Sequence, residues 1–192
     1  MRYTNEYKEQ ARAKLVDAGG RHAKKHGFIN SGMADLAEAA GVTTGSLYKH
    51  FNSKSDLFVA MITAELKRTA DMYGAVDAAD PVAVSRALAD YLSTSHVQRP
   101  DKGCPLPSLT PEIGRADDAA KQAFEEGVKT IHVKVAALTG NSDIAWAVMA
   151  QNVGAVMLAR ALRSEAMQRE LLSAVCHAGE QLLSIDTRPQ EK

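Results

Sequence analysis

Residues 33–51, MADLAEAAGVTTGSLYKHF, decide how the chain is read. Met33, Leu36, Ala37 and Ala40 recur at helical spacing, and Ser31 or Gly32 can cap the helix they imply. Gly41 ends that helix, because glycine enters the left-handed cap conformation without a steric penalty. Val42 fills the corner, and Thr43 suits the cap of a second helix running from 44 to about 50. Leu47 and Phe51 stand four residues apart and face inward, which leaves Thr44, Ser46, Tyr48, Lys49 and His50 outside. At about 1.5 Å per residue this helix is only about 10 Å long and must be held by tertiary packing. Two short helices around a glycine turn predict a helix-turn-helix, whose second helix presents its first side chains to a major groove.

Upstream, Thr4 can cap a helix that runs to about His26 and stops at Gly27, with Tyr7, Ala11, Leu15, Ala18 and His22 along one face. Arg2 lies ahead of it as a candidate phosphate-binding arm. Downstream, Ser53 followed by Asp56 reads as the start of a long helix from 54 to about 75. Lys54, beside that amide-rich end, can bind a phosphate. Asp80-Pro81 opens a further region, with helices expected at about 81–97, 117–138, 143–162 and 165–184. Between them RPDKGCPLPSLTP (99–111) holds four of the six prolines, which predicts a structured loop with a short helix near 108–115.

Composition bounds the class. The 192 residues are 45% hydrophobic and 24% charged, as in an ordinary globular protein, and only 5% aromatic, which favours helices over sheet. No secretory segment is read at the polar N-terminus, and the apolar run 144–158, interrupted by Gln151 and Asn152, is too short to span a bilayer. Two cysteines form no disulfide framework, and His96, His132 and His177 have no metal-like spacing; no metal or cofactor is expected, and a cytoplasmic protein is the simplest fit. Net charge is zero, but residues 1–68 carry 11 basic against 7 acidic groups and the remainder 12 against 16. A basic head on an acidic body suits nucleic acid at one end only.

The longer run 27–58, GFINSGMADLAEAAGVTTGSLYKHFNSKSDLF, resembles the signature of tetracycline-repressor (TetR) family regulators. The GF pair, the DLAEAAGV core, G-S-L-Y-x-H-F and S-K-x-x-L agree with it in order and spacing. The resemblance implies an all-α protein with an N-terminal three-helix DNA-binding domain (1–53) and a C-terminal helical effector-binding and dimerisation domain (54–192). It also implies phosphate contacts from Ser46, Tyr48, His50 and Lys54, and a close backbone approach to the duplex at Gly45. Thr44 and Lys49 become the candidates for base readout, Lys49 towards guanine. Ala34 stands where many relatives have a long polar side chain, so the first short helix is expected to add little readout.

The last two expected helices are apolar over more than one stripe, through Val148, Val156, Leu172 and Leu182 among others, and so need partners on more than one side. A homodimer joined through these helices follows, and with it a near-palindromic operator in double-stranded DNA. For an unidentified small-molecule effector, Tyr91, His96, Trp146, Met149 and Asn152 could line an apolar pocket with a few polar groups. Cys104, in a Gly-Cys-Pro setting that resembles electrophile-responsive relatives, joins them, with Lys102 able to lower its pKa; the alternative is a small buried residue organising its loop. No nucleophile, P-loop or paired-carboxylate pattern indicates an enzyme, and Asp117-Asp118 and Glu125-Glu126 read as solvated faces. A dimeric helical scaffold or small-molecule binder without operator binding is the remaining alternative.

Overall fold

Ten helices follow one another through residues 5–186, the part of the chain that the structure, a computed structural model, describes. They are α1 (Asn5–His26), α2 (Met33–Ala39), α3 (Thr44–Tyr48), α4 (Lys54–Gly74), α5 (Pro81–Tyr91), α6 (Thr94–Gln98), α7 (Leu106–Ile113), α8 (Asp118–Thr139), α9 (Ser142–Ala161) and α10 (Glu165–Asp186). No strand occurs among the described residues, and the fold is all-α. The cap expected at Thr4 and the Arg2 arm lie outside the described residues. Two compact units form, one from residues up to 67 together with 100–127, the other from 68–99 together with 128 onward.

In the first unit α1 buries Leu15, Val16, Ala23 and Lys24. That stripe is rotated from the face expected through Tyr7, Ala11, Ala18 and His22; Tyr7 is exposed and the other three are half-buried. The glycines explain the rotation. A Cβ on Gly20 would stand 2.7 Å from Glu65 Oε1, and one on Gly19 would stand 3.1 Å from Met61 Sδ. The two bare positions therefore let α1 approach α4 closely. In that contact the Lys24 ammonium donates to Glu65 Oε2 at 2.8 Å, their side chains only 0% and 2% exposed. A second donor of Lys24 reaches the Gly103 carbonyl at 2.9 Å.

Gly27 ends α1 at φ +84, where a Cβ would collide with the Glu112 carboxylate. That carboxylate accepts the next two amides, from Phe28 at 2.8 Å and Ile29 at 2.9 Å. Phe28 then stacks on Phe58 of α4 with ring centroids 4.0 Å apart. α7 begins at Leu106, two residues earlier than expected, and accommodates Pro107 in its first turn and Pro111 inside. Proline costs nothing where an amide has no helical partner, and Pro111 removes only one donor from the short helix. Asp117, read as a solvated acid, instead caps α8 through the Ala120 amide and accepts from the Ser55 hydroxyl of α4. The Ser55 and Ala120 bonds together hold its carboxyl below the usual carboxylate range.

In the second unit Asp80 caps α5 by accepting from the Val82 and Ala83 amides, with Pro81 in the first turn. The helix expected over 81–97 is broken in two. Leu92 leaves the helical region at ψ 33, Ser93 caps α6, and His96 Nδ1 donates back to the Tyr91 carbonyl at 2.8 Å. The break lets Leu92 and Val97 share one core with Ala155, Ala159 and Leu172. α9, at 20 residues, is by length and composition sufficient to cross a membrane, so the expectation that this run is too short does not hold. It packs against α6 and α10 and buries Ala145, Val148, Asn152, Ala155, Val156 and Ala159, the pattern of a core helix.

Replacing Lys24 alone with methionine leaves the Glu65 carboxylate buried without its cation, and is expected to cost about 3–5 kcal/mol in urea unfolding near neutral pH. The double variant K24M/E65L should recover most of that loss. A single variant no less stable than the double would show that the pair imposes no such penalty.

Candidate nucleic-acid interface

The helix-turn-helix is assembled from local chemistry. Gly32 is the cap residue of α2, and the Asp35 carboxylate accepts its amide at 2.6 Å; Ser31 instead donates to the Gly27 carbonyl. Ser31 Oγ also accepts from His22 Nε2 at 3.1 Å, and burial, then the neighbouring His26, hold the His22 pKa below its ordinary value. Gly41 takes φ +67 at the end of α2, where its amide meets the Glu38 carbonyl at 2.9 Å and that of Val42 the Ala37 carbonyl at 3.0 Å. These bonds satisfy carbonyls that the helix end would otherwise orphan. Thr43 caps α3 by accepting the Ser46 amide at 3.2 Å.

Leu47 and Phe51 are each 1% exposed and anchor α3, and the Arg12 guanidinium lies 4.7 Å over the Phe51 ring. The helix itself is shorter than expected and ends at Tyr48, because the amides of His50 and Phe51 both fold back to the Leu47 carbonyl. Lys49 and His50 therefore sit in the turn after α3, not on it. Thr44 and Ser46 are half-buried on α3, and Gly45 is exposed. Tyr48 is 54% exposed, so packing against α2 does not occupy its ring fully. Lys54 opens α4, where Ser53 accepts the Asp56 amide at 3.0 Å. Its ammonium donates to the Ile29 carbonyl at 2.8 Å and lies 4.9 Å from the Phe28 ring centroid, which leaves two of its three donors for a further acceptor.

The residues expected to line an effector site are distributed. Cys104 belongs to the first unit and is buried beside Pro105 and Leu106. The other five belong to the second. Tyr91 and His96 meet edge to face at 4.5 Å, and the His96 carbonyl accepts from Arg160 at 2.9 Å, so both knit α5, α6 and α9 together. Asn152 is buried and lines a cavity of about 20 Å³ with Leu88, Leu92 and Cys176, room for about one water. Burial, with Glu180 second, pushes the Cys176 thiol up. Trp146 is exposed and stacks on His132 at 4.1 Å, while Met149 is half-buried. Among the described residues no three His, Cys, Asp or Glu side chains converge as a metal site would. Two residues that position the interface, Arg12 and Glu112, carry no signal in the sequence, since a lone arginine or glutamate has no motif around it.

Residues 15–61 match the family model described as bacterial regulatory proteins, tetR family. The HTH-type transcriptional regulator TtgR of Pseudomonas putida is 36% identical over 92 residues, 46% of this chain and 43% of that protein. The match thus spans less than half the length of that relative. Among solved structures, a TetR-family transcriptional regulator from Cytophaga hutchinsonii superimposes with a TM-score of 0.72 at 19% identity, covering 96% of this chain and 97% of that one. The reduced form of E. coli NemR gives a TM-score of 0.66 at 21% identity, covering 86% and 95%. The helix-turn-helix built at residues 33–51 lies inside the family match, so residues 15–61 are those of a tetR-family regulatory protein, and the all-helical fold is shared along the chain.

Proposed function

We propose that the protein is a cytoplasmic, ligand-responsive transcriptional regulator, most simply a repressor, that binds a palindromic operator as a homodimer and is released by a small-molecule or electrophile effector. One observation carries the reading. A five-residue helix, held by the buried Leu47 and by the buried Phe51 just beyond it, leaves Gly45 and Tyr48 exposed and Thr44 and Ser46 half-exposed, followed at once by the exposed Lys49 and the half-buried His50. In this reading residues 1–53 bind DNA and 54–192 bind effector and dimerise. Ser46, Tyr48, His50 and Lys54 hold phosphates, while Thr44 and Lys49 read bases. A helix so short reaches only a few base pairs, so two-fold pairing supplies the remaining specificity. Met157, Leu158 and Met167, large apolar side chains exposed on α9 and α10, support pairing through these helices. Tyr91, His96, Trp146, Met149 and Asn152 are the effector contacts of this reading, although the cavity at Asn152 has room for only about one water, and Cys104 is the candidate for an electrophile.

Selection of bound duplexes from a random library is expected to enrich a near-palindrome. Lys49→Ala should relax preference at one base pair per half-site while leaving the rest of the motif intact. No enrichment from folded, dimeric protein would favour a dimeric scaffold or small-molecule binder over a regulator.

Gly45→Ala separates stability from recognition. A Cβ there meets nothing closer than 3.9 Å, so the variant should unfold at higher urea, by about 0.5–1 kcal/mol, through helix propensity. Duplex affinity should nevertheless fall, because the added methyl holds the backbone away from DNA; unchanged affinity would show that Gly45 is not at the interface.

Leu158, 61% exposed, is expected to lie in the dimer seam. Leu158→Glu should convert dimer to monomer in sedimentation without loss of helical circular dichroism, and an unaltered dimer would move the interface elsewhere.

A further inference from the structure

We propose that the first turns of α1 form a second DNA-backbone contact, with Lys8 and Lys14 as phosphate-positioning residues; this rests on the operator-binding reading above. The fully buried positions of α1 begin at Leu15, with Ala11 half-buried, yet the helix starts at Asn5 and so runs about 15 Å ahead of its first fully buried residue. Arg12, over the Phe51 ring, ties this overhang to the end of the helix-turn-helix. Between the two lies an open groove of about 680 Å³. Ala11, Leu15, Ala40 and Val42 give part of its lining an apolar character, beside the larger Tyr7 and Gln10.

The charged side chains that line it, Lys8, Lys14 and Lys49, are all basic. Lys8 and Lys14 line it from α1, and Lys49 and His50 line it from the turn after α3. No carboxylate lines it, although Glu6 and Glu9 belong to the same turns of α1. Lys49 and Ser46, which also line the groove, belong to the proposed DNA face, so groove and face are one continuous surface. A groove with basic walls and no acid selects a polyanion. Lys8 and Lys14 are six residues apart, about 9 Å along the helix, and one DNA strand advances about 3.4 Å per phosphate, so both ammonium groups can meet phosphates of one strand. These contacts set register and affinity and carry no base readout.

The test is the salt dependence of binding to a random-sequence duplex of about 30 base pairs, between about 50 and 300 mM KCl. Wild type is compared with K8Q/K14Q and with K121Q/K134Q, which removes the same charge from exposed positions on α8. All four lysines are exposed, and thermal melts should coincide. The slope of log affinity against log salt should become shallower by about 1.8 for K8Q/K14Q and stay unchanged for K121Q/K134Q. Base preference in the library selection should be the same as wild type. If wild type binds with a steep slope and K8Q/K14Q matches it, the groove takes something else, such as a second copy or an apolar molecule, and the assignment falls while operator binding stands. If wild type binds no duplex at all, both fall.

Discussion

The buried ion pair between Lys24 and Glu65 is the constraint on which the first unit depends. Two charges taken out of water are tolerated only when each is satisfied by close partners, and here the Gly103 carbonyl takes a second donor of the ammonium. The consequence is geometric. Sliding α1 along α4 by one turn would part the charges inside an apolar core, so a single register of the two helices survives. Gly19 and Gly20 make that register reachable, because a side chain at either position would meet Met61 or Glu65.

From this register the recognition element follows. The turn after α1 is gripped from three directions: by the Glu112 carboxylate on two amides, by Phe58 against Phe28, and by Lys54 on the Ile29 carbonyl. α2 therefore starts from a fixed point, and α3 hangs from α2 through the Gly41 turn and from the core through Leu47 and Phe51. A five-residue helix cannot maintain itself, so its order is borrowed entirely from these supports. Preorganisation of this kind lets a short helix present side chains to a partner without further ordering on binding.

The second unit solves a different problem, in which one helix must serve several neighbours. α9 meets both α6 and α10, sharing one core with Val97 and Leu172 through Ala155 and Ala159, while Met157 and Leu158 remain exposed. The break at Leu92-Ser93 belongs to the same solution, since a continuous helix over 81–97 could not direct both Leu92 and Val97 into the core with Ala155 and Leu172. Tyr91 and His96, polar enough to suggest a ligand, are largely engaged in holding that break.

Helical class, the two short helices, the glycine turn and the Asp80-Pro81 start were legible in the sequence because each rests on local rules: caps, glycine conformation and apolar spacing read within a few residues. Of the set read as outward once Leu47 and Phe51 were placed inward, Tyr48 and Lys49 are exposed, whereas Thr44, Ser46 and His50 are half-buried. What only the tertiary structure decided depends on residues far apart in the chain. The rotated face of α1, the pairing of Lys24 with Glu65 and the hold of Glu112 on the turn at Phe28 join positions 41 to 84 residues apart. The groove between α1 and the helix-turn-helix belongs with them. No periodicity encodes these contacts, because a lone lysine or glutamate reads as a solvated charge until the fold supplies its partner.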